Sequence, residues 1–593
     1  MQFPENAVEV PRPQRWDEPF DPEMSDSEVA WLLTRKPFSQ LDNKAFPRSA
    51  PLAAILRNDC RLRRHRPGEV IVREGDYGNS AFLVLSGNVQ ALLTRLPPAQ
   101  LGRSSPVKLT WRQALKQLWN QSLYPESRTP ADVHSQLGPR IEQADRRTTV
   151  FLQDFDGVLS DRQDLSLGPN DLFGEIAAMY RSPHVATVVA QTEAVLLEIR
   201  WQGLRLIRRD GRFSQQLEHH YRQHWLKTHL RQTPAFRYLP EDALQRVADS
   251  VRMRSFGRNE WHNDFEKTRK LPPAEQIEAE PVVASEGSHP IELVLVRAGF
   301  ARVCHDYGSG HRTTAYLSKG RLFGLEEIVH NVYRPEGAPP IPLQNSLRAV
   351  GFVDTLHIPL EVVVEDLLPY IRRSELPRPL LSTRQQRTAV APLPLPTTGR
   401  PEGEAELPTG LLEFIVQNRL NNGQQAMLID LDRCTRCDDC VTACAKTHDG
   451  NPRFARVGPR YDRLQFAQAC MHCLDPICMI GCPTGAIARD AATGTVRIHE
   501  PICVGCGTCA NACPYQNIQM VEVRDQRGRF YRDQQTQLPI LKATKCDMCQ
   551  SQPSGPACVA ACPHDALTRI DLSQVDALQD WLTQRGVPGQ EAT

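Results

Sequence analysis

Short apolar runs separated by turn residues fill residues 45–235. In Glu69–Val89, two such runs flank the Gly75-Asp76 turn and a third begins after Gly87, which predicts three strands. A polar insertion near 97–147 interrupts the strand pattern. From Trp201 to about Leu230 the chain is rich in Leu, Arg, Gln and His without Pro or Gly pairs, which predicts helix. Residues 236–373 repeat this arrangement weakly. Val283–Val303 carries Gly287 and Gly299 at a separation similar to Gly75 and Gly87, and Phe323-Gly324 echoes Phe173-Gly174. Repetition of this size implies tandem domains rather than a solenoid. Residues 374–410 lack apolar periodicity and hold Pro377, Pro379, Pro392, Pro394, Pro396, Pro401 and Pro408, the composition of an extended, semi-rigid tether. The chain therefore divides into an extension (1–44), a first domain (45–235), a second (236–373), a Pro-rich linker (374–410), a third domain (411–570) and a tail (571–593), with a helix at Val575–Gln584.

Composition adds little. The 593 residues are 40% hydrophobic and 23% charged, as in ordinary globular proteins. A formal net charge of +1 gives no bulk electrostatic case for nucleic acid or an anionic membrane. No run of about 18 apolar residues predicts a span. The opening Met1-Gln-Phe-Pro-Glu-Asn6 lacks the pattern of a secretory leader, so a cytoplasmic location is expected.

Cysteine changes the picture. Of 18 cysteines, 16 lie between Cys434 and Cys562, in four runs: Cys434, Cys437, Cys440, Cys444; Cys470, Cys473, Cys478, Cys482; Cys503, Cys506, Cys509, Cys513; and Cys546, Cys549, Cys558, Cys562. Three runs end in Cys-Pro, at Pro483, Pro514 and Pro563. Four ligands per run suit four [4Fe–4S] clusters, and the trailing Cys-Pro is the bacterial-ferredoxin spacing, in which the fourth Cys ligates a neighbouring cluster. Paired Cys-x2-Cys motifs also make zinc ribbons, but zinc does not need the third and fourth cysteines that recur here. The proline is expected in the first turn of a helix opened by the fourth Cys, where its missing N–H costs little. His472, between two ligands, is expected beside the site or facing solvent. Cys60 and Cys304, outside any metal pattern, are expected to be buried and inert.

The runs Ile429–Cys437, Ala469–Cys478, Cys482–Ile487, Cys503–Cys506, Ala512–Tyr515 and Lys545–Cys549 resemble the four-cluster ferredoxin subunits of molybdopterin oxidoreductases, over about 425–570. The resemblance implies an α+β tandem ferredoxin-like domain with shared clusters. One cluster would take Cys434, Cys437, Cys440 and Cys562, and its neighbour Cys546, Cys549, Cys558 and Cys444. The second pair would take Cys470, Cys473, Cys478 and Cys513, then Cys503, Cys506, Cys509 and Cys482. Ala445 stands where the first run would have its proline.

Arg64–Asp76, Leu83–Val89, Phe173–Ala177 and Ser182–Thr187 resemble a β-rich jelly-roll cyclic-nucleotide-binding domain of the catabolite-activator and protein-kinase-regulatory type. The resemblance makes Gly174, Glu175, Ile176, Ala177 and His184 the phosphate-binding cassette. The family's Arg that pairs with the cyclic phosphate is His184 here, and a neutral imidazole does not replace a forked cation. In the second domain the acid is displaced to Glu326, and Arg348 is expected on the following strand. Docking or dimerisation is the competing role for both domains. The basic run Arg61–Arg66 is expected to be a solvated strand face, and no helix-turn-helix precedes the linker, which argues against a transcription factor.

The expected activity is a single-electron relay between donor and acceptor proteins, such as a molybdopterin or flavin subunit, with no catalytic residue of its own. The alternative is a redox- or nucleotide-responsive regulator that uses the clusters as sensors.

Overall fold

The structure, a computed structural model, describes residues 7–93, 96–97, 101, 140–144, 147–152, 164–308, 310–372, 376, 408–525, 527–550, 552, 555–573 and 575–585. Most of the polar insertion and of the Pro-rich linker lies outside the described residues. The chain forms two compact units. One is Glu18–His224 with Ala491–Gly494; the other is Met1–Asp17, Trp225–Asp490 and Thr495–Thr593.

In the first-named unit eight strands form two antiparallel sheets. The strands are β1 (Cys60–His65), β2 (Val70–Val72), β3 (Ser80–Ser86), β4 (Val89–Leu92), β5 (Asp164–Leu167), β6 (Leu172–Phe173), β7 (Thr187–Ala190) and β8 (Ala194–Arg200). The sheet orders are β2-β7-β4-β5 and β1-β8-β3-β6. Val84, Leu196, Leu197 and Ile199 lose all solvent contact, with Leu197 and Ile199 on one face of their strand and Leu196 on the other. Gly87 turns β3 into β4 with φ +78, where a Cβ would lie 2.2 Å from the Glu193 carbonyl oxygen. After β6, Gly174 at φ +77 starts helix α1 (Glu175–Tyr180). The segment expected as one helix is broken into α2 (Trp201–Ile207), α3 (Gly211–His220), a π-helical turn (Tyr221–Trp225) and α4 (Leu226–Gln232). The break has a cause in Asp210, whose carboxylate accepts the Phe213 N–H at 3.0 Å and caps a new start.

The other unit holds a second barrel and the cysteine-rich block. Its strands β9 (Arg252–Gly257), β10 (Val282–Ala284), β11 (Glu292–Tyr307), β12 (Gly310–Leu317), β13 (Leu322–Phe323) and β14 (Ser346–Pro359) form one sheet with the path β9-β14-β11-β12. The repeat read from Phe-Gly is structural. Phe173 pairs with Phe82, and Phe323 pairs with Val294. Gly324, at φ +89, opens helix α5 (Leu325–Tyr333), as Gly174 opens α1.

The cysteine-rich block is built on β15 (Ala426–Asp430), β16 (Arg460–Tyr461), β17 (Leu464–Phe466) and β18 (Leu567–Ile570), in the order β16-β17-β15-β18. The chain near its start contributes too, since Val8–Val10 pairs in parallel with Tyr531–Asp533. The second barrel packs directly on this block. Trp261 and Phe265 join Ile477, Ile480 and Ala512 in one apolar cluster. The Trp261 indole N–H donates to Asp475 at 3.1 Å, and the Tyr316 hydroxyl donates to the Leu572 carbonyl at 2.8 Å. Glu280 bridges the buried guanidinium groups of Arg302, at 2.9 Å, and Arg419, at 3.2 Å.

The basic run is solvated only in part, with Arg64 and Arg66 exposed and Arg61, Arg63 and His65 engaged by acids. On β1, Arg61 and Arg63 approach Glu198 of the paired strand β8 at 2.6 and 2.9 Å, and His65 meets Glu69 at 2.9 Å. Antiparallel pairing places Arg61 opposite Glu198, so one buried carboxylate draws in two cations. No helix among the described residues is long and apolar enough to cross a membrane.

Candidate metal centres and the two cassettes

All 18 thiols are free. In each run the residue two places after the first cysteine has positive φ: Arg436 (+62), His472 (+46), Gly505 (+65) and Met548 (+63). That left-handed residue curls the loop so that successive thiols face one side. The third cysteine of each run then lies in the first two residues of a helix: α6 (Asp439–Thr447), α7 (Ile477–Ile480), α8 (Thr508–Ala512) and α9 (Ala557–Ala560). The helix starts at the third cysteine, not the fourth. Pro483, Pro514 and Pro563 therefore follow helix ends instead of occupying first turns. A residue without an N–H, which cannot continue the ladder, fits there equally well.

The thiols gather across runs. Cys440 neighbours Cys434 and Cys562, and Cys437 shares their loop. Cys558 neighbours Cys546, Cys549 and Cys444. Cys473 neighbours Cys470, Cys513 and Cys478, and Cys509 neighbours Cys482, Cys503 and Cys506. The last group, with Ala486, Ile498, Met520 and Ala543, lines a shared cleft. Backbone N–H groups point at sulfur: Arg453 to Cys444 at 3.3 Å, Asn517 to Cys513 at 3.4 Å and Ala566 to Cys562 at 3.3 Å. Burial raises the thiols of Cys509 and Cys558 to about 12 and that of Cys513 to about 11, and pushes Cys473 and Cys478 well above the ordinary thiol value. Such grouped thiols ionise only against a cationic centre, so the donor set fits an iron–sulfur cluster held by four thiolates.

Sequence spacing missed the cations between these groups. On β18 the Arg569 guanidinium donates to Cys546 Sγ at 3.1 Å and to the Cys470 carbonyl at 3.1 Å. Buried Lys545 donates to the Cys546 carbonyl at 3.1 Å, and also to Val496. Arg489 donates to the carbonyls of Leu474, at 2.7 Å, and Cys473. His472 is 1% exposed, and its Nδ1 accepts the Val496 N–H at 3.0 Å. It is therefore an interior neighbour of the thiols, held neutral by burial and by the three cations. Cys60 and Cys304 are fully buried, with thiol pKa values raised by burial.

In the first cassette Glu175 is 2% exposed, and among the described residues neither carboxylate oxygen has a hydrogen-bond partner. Ile176 and Ala177 continue α1 behind it. Burial raises the Glu175 carboxyl to about 8 and lowers His184 to about 4. The imidazole lies against Gly78, where a Cβ would be 2.8 Å from its Nε2. The cassette thus presents a neutral acid and a neutral base, with no permanent cation at position 184. In the second domain the Gln344 N–H donates to Glu327 at 3.1 Å, and the Ile341 N–H to Asn331 at 2.7 Å, so the chain's own Pro-rich segment is tied to α5. Arg348 lies on β14 and donates to the Ile277 and Glu280 carbonyls, each at 3.2 Å.

A pH effect follows from Glu175. Its folded pKa lies above its unfolded value, so its contribution is full below about 4.5 and is lost as pH rises to about 8. The loss is on the order of 5 kcal/mol. Glu175→Gln is expected to lack this slope. Melting temperatures of the two proteins from pH 5 to 8.5 should diverge in favour of the variant, and parallel curves would show that the carboxyl ionises freely.

Comparisons with known proteins agree with this division. Residues 461–571 match the 4Fe-4S dicluster domain, and residues 158–210 match the cyclic nucleotide-binding domain. The Electron transport protein HydN of Escherichia coli (strain K12) is 33% identical over 162 residues, which are 26% of this chain and 91% of HydN. The Thiosulfate reductase electron transfer subunit PhsB of Salmonella typhi is 34% identical over 191 residues, 29% of this chain and 88% of PhsB. Among solved structures, the regulatory domain of Toxoplasma gondii PKA with cAMP aligns at 14% identity over 56% of this chain and 88% of that one, with a TM-score of 0.20, too loose to carry an argument. With HydN covered almost end to end by its cysteine-rich block, the chain belongs to the 4Fe-4S dicluster family of electron-transport proteins, and it carries a cyclic nucleotide-binding domain ahead of that block.

Proposed function

We propose that this chain holds four [4Fe–4S] clusters and relays single electrons between a donor and an acceptor protein. The observation that carries the reading is the gathering of the cysteines across runs, the first with the fourth and the second with the third, with Arg569 reaching from Cys546 to Cys470. Each cluster, when bound, takes up and releases one electron. The chain supplies thiolates, N–H donors to sulfur, apolar walls that exclude water, and cations that balance negative charge. HydN and PhsB are described as electron transport and electron transfer proteins, which supports a partner-dependent role here.

The second barrel serves as a docking and support module in this reading. Its supporting observations are Trp261 packed beside the second cysteine run and a cassette region crossed by its own Pro-rich segment. The test is iron and acid-labile sulfide per chain on anaerobically purified protein, with EPR after dithionite reduction. About sixteen irons and spin-coupled reduced signals are expected. Zinc in place of iron, or a single-cluster signal, would overturn the relay.

A further inference from the structure

A second group of metal-binding side chains lies far from the cysteines in sequence. Asp171, just before β6, meets His220 at the end of α3 and His224 in the π-helical turn, with one ligand atom of each within 4.8 Å of the others. The two imidazole rings are 4.5 Å apart, centre to centre. Among the described residues, buried His220 Nε2 has no hydrogen-bond partner. An unsatisfied imidazole nitrogen beside a carboxylate and a second imidazole is a donor set that a metal ion can take up. Nothing in the electron relay uses these residues. His220 and His224, four positions apart, share one helix face, and the turn that carries His224 is π-helical, a distortion found often at functional sites.

We infer that Asp171, His220 and His224 form a binding site for one divalent first-row transition ion, completed by water. Two imidazoles and one carboxylate suit zinc, which the order of divalent affinities favours over iron(II) or manganese for such donors. An ion there would tie the end of α3 to the strand that opens the first cassette.

The test uses full-length holoprotein, purified anaerobically with its iron in place and treated with a chelator. Zinc ion is then titrated by calorimetry, metals are counted by mass spectrometry, and the zinc edge is read by X-ray absorption. About one zinc per chain with nitrogen and oxygen neighbours only is expected, together with a rise in melting temperature. His224→Gln, at a partly exposed position, and Asp171→Asn should each weaken zinc by at least roughly the tenfold that loss of even an outer-shell partner costs, with iron content unchanged. No zinc above background, sulfur in its first shell, or equal affinity in both variants would overturn the site. Sulfur neighbours would assign the zinc to the cysteine runs instead.

Discussion

Replacing Cys562 with alanine is expected to remove about four of about sixteen irons, replacing Cys434 to do the same, and replacing both to remove no more than either alone. The two cysteines stand 128 positions apart in different runs, yet both neighbour Cys440. Substitutions that destroy one site are non-additive, whereas substitutions at separate sites add. The pair Cys444→Ala and Cys562→Ala should therefore leave about eight irons, because Cys444 neighbours Cys546 and Cys549. Iron analysis and EPR on the four proteins decide the matter. If Cys546→Ala and Cys562→Ala were the pair that failed to add, each run would hold its own cluster and the cross-run arrangement would be wrong.

Arg569→Met is expected to lower the potentials of two clusters, those of the Cys546 and Cys470 groups, while leaving iron content intact. A cluster becomes more negative when reduced, so a nearby cation favours reduction. At an effective dielectric near 20, one charge several ångströms away is worth about 3 kcal/mol, on the order of 100 mV for one electron. Arg569 is bonded both to Cys546 sulfur and to the Cys470 carbonyl, so its loss reaches both groups. Lys545 and Arg489 remain and limit the effect. Redox titration by EPR should show two shifted and two unshifted signals, with a smaller shift in Arg569→Lys. Equal shifts in all four would assign Arg569 a merely structural role.

These cations show where sequence reading stops. The cysteine ligands are legible because each loop carries three ligands within a few residues and the spacing itself is the chemistry. Arg569 is one basic residue on a short strand, and only folding puts it against two runs, 23 positions from Cys546 and 99 from Cys470. Asp171 and His220 likewise meet only through the barrel. The ion pairs of Arg61 and Arg63 are hidden from local pattern for the same reason, because Glu198 lies 137 positions from Arg61. The strands around Gly75 and Gly87 and the helix at Val575–Gln584 were readable from local pattern. The break at Asp210 could have been found, since an Asp followed by Gly is a stop-and-cap signal within an otherwise helical stretch. Pro483, Pro514 and Pro563 fit a helix start in the sequence and a helix stop in the structure, because both tolerate proline for related reasons.

The pairing of Val8–Val10 with Tyr531–Asp533 sets a schedule for making this protein. At roughly 5–20 residues per second, the ribosome finishes the partner strand about half a minute to two minutes after the first strand emerges. Until then the early strand lacks this partner. Closing so long a loop is slow, so this seam belongs to the last steps of assembly. Nascent chains caught before residue 531 should keep the N-terminal strand open to proteases, after the first barrel has already become resistant.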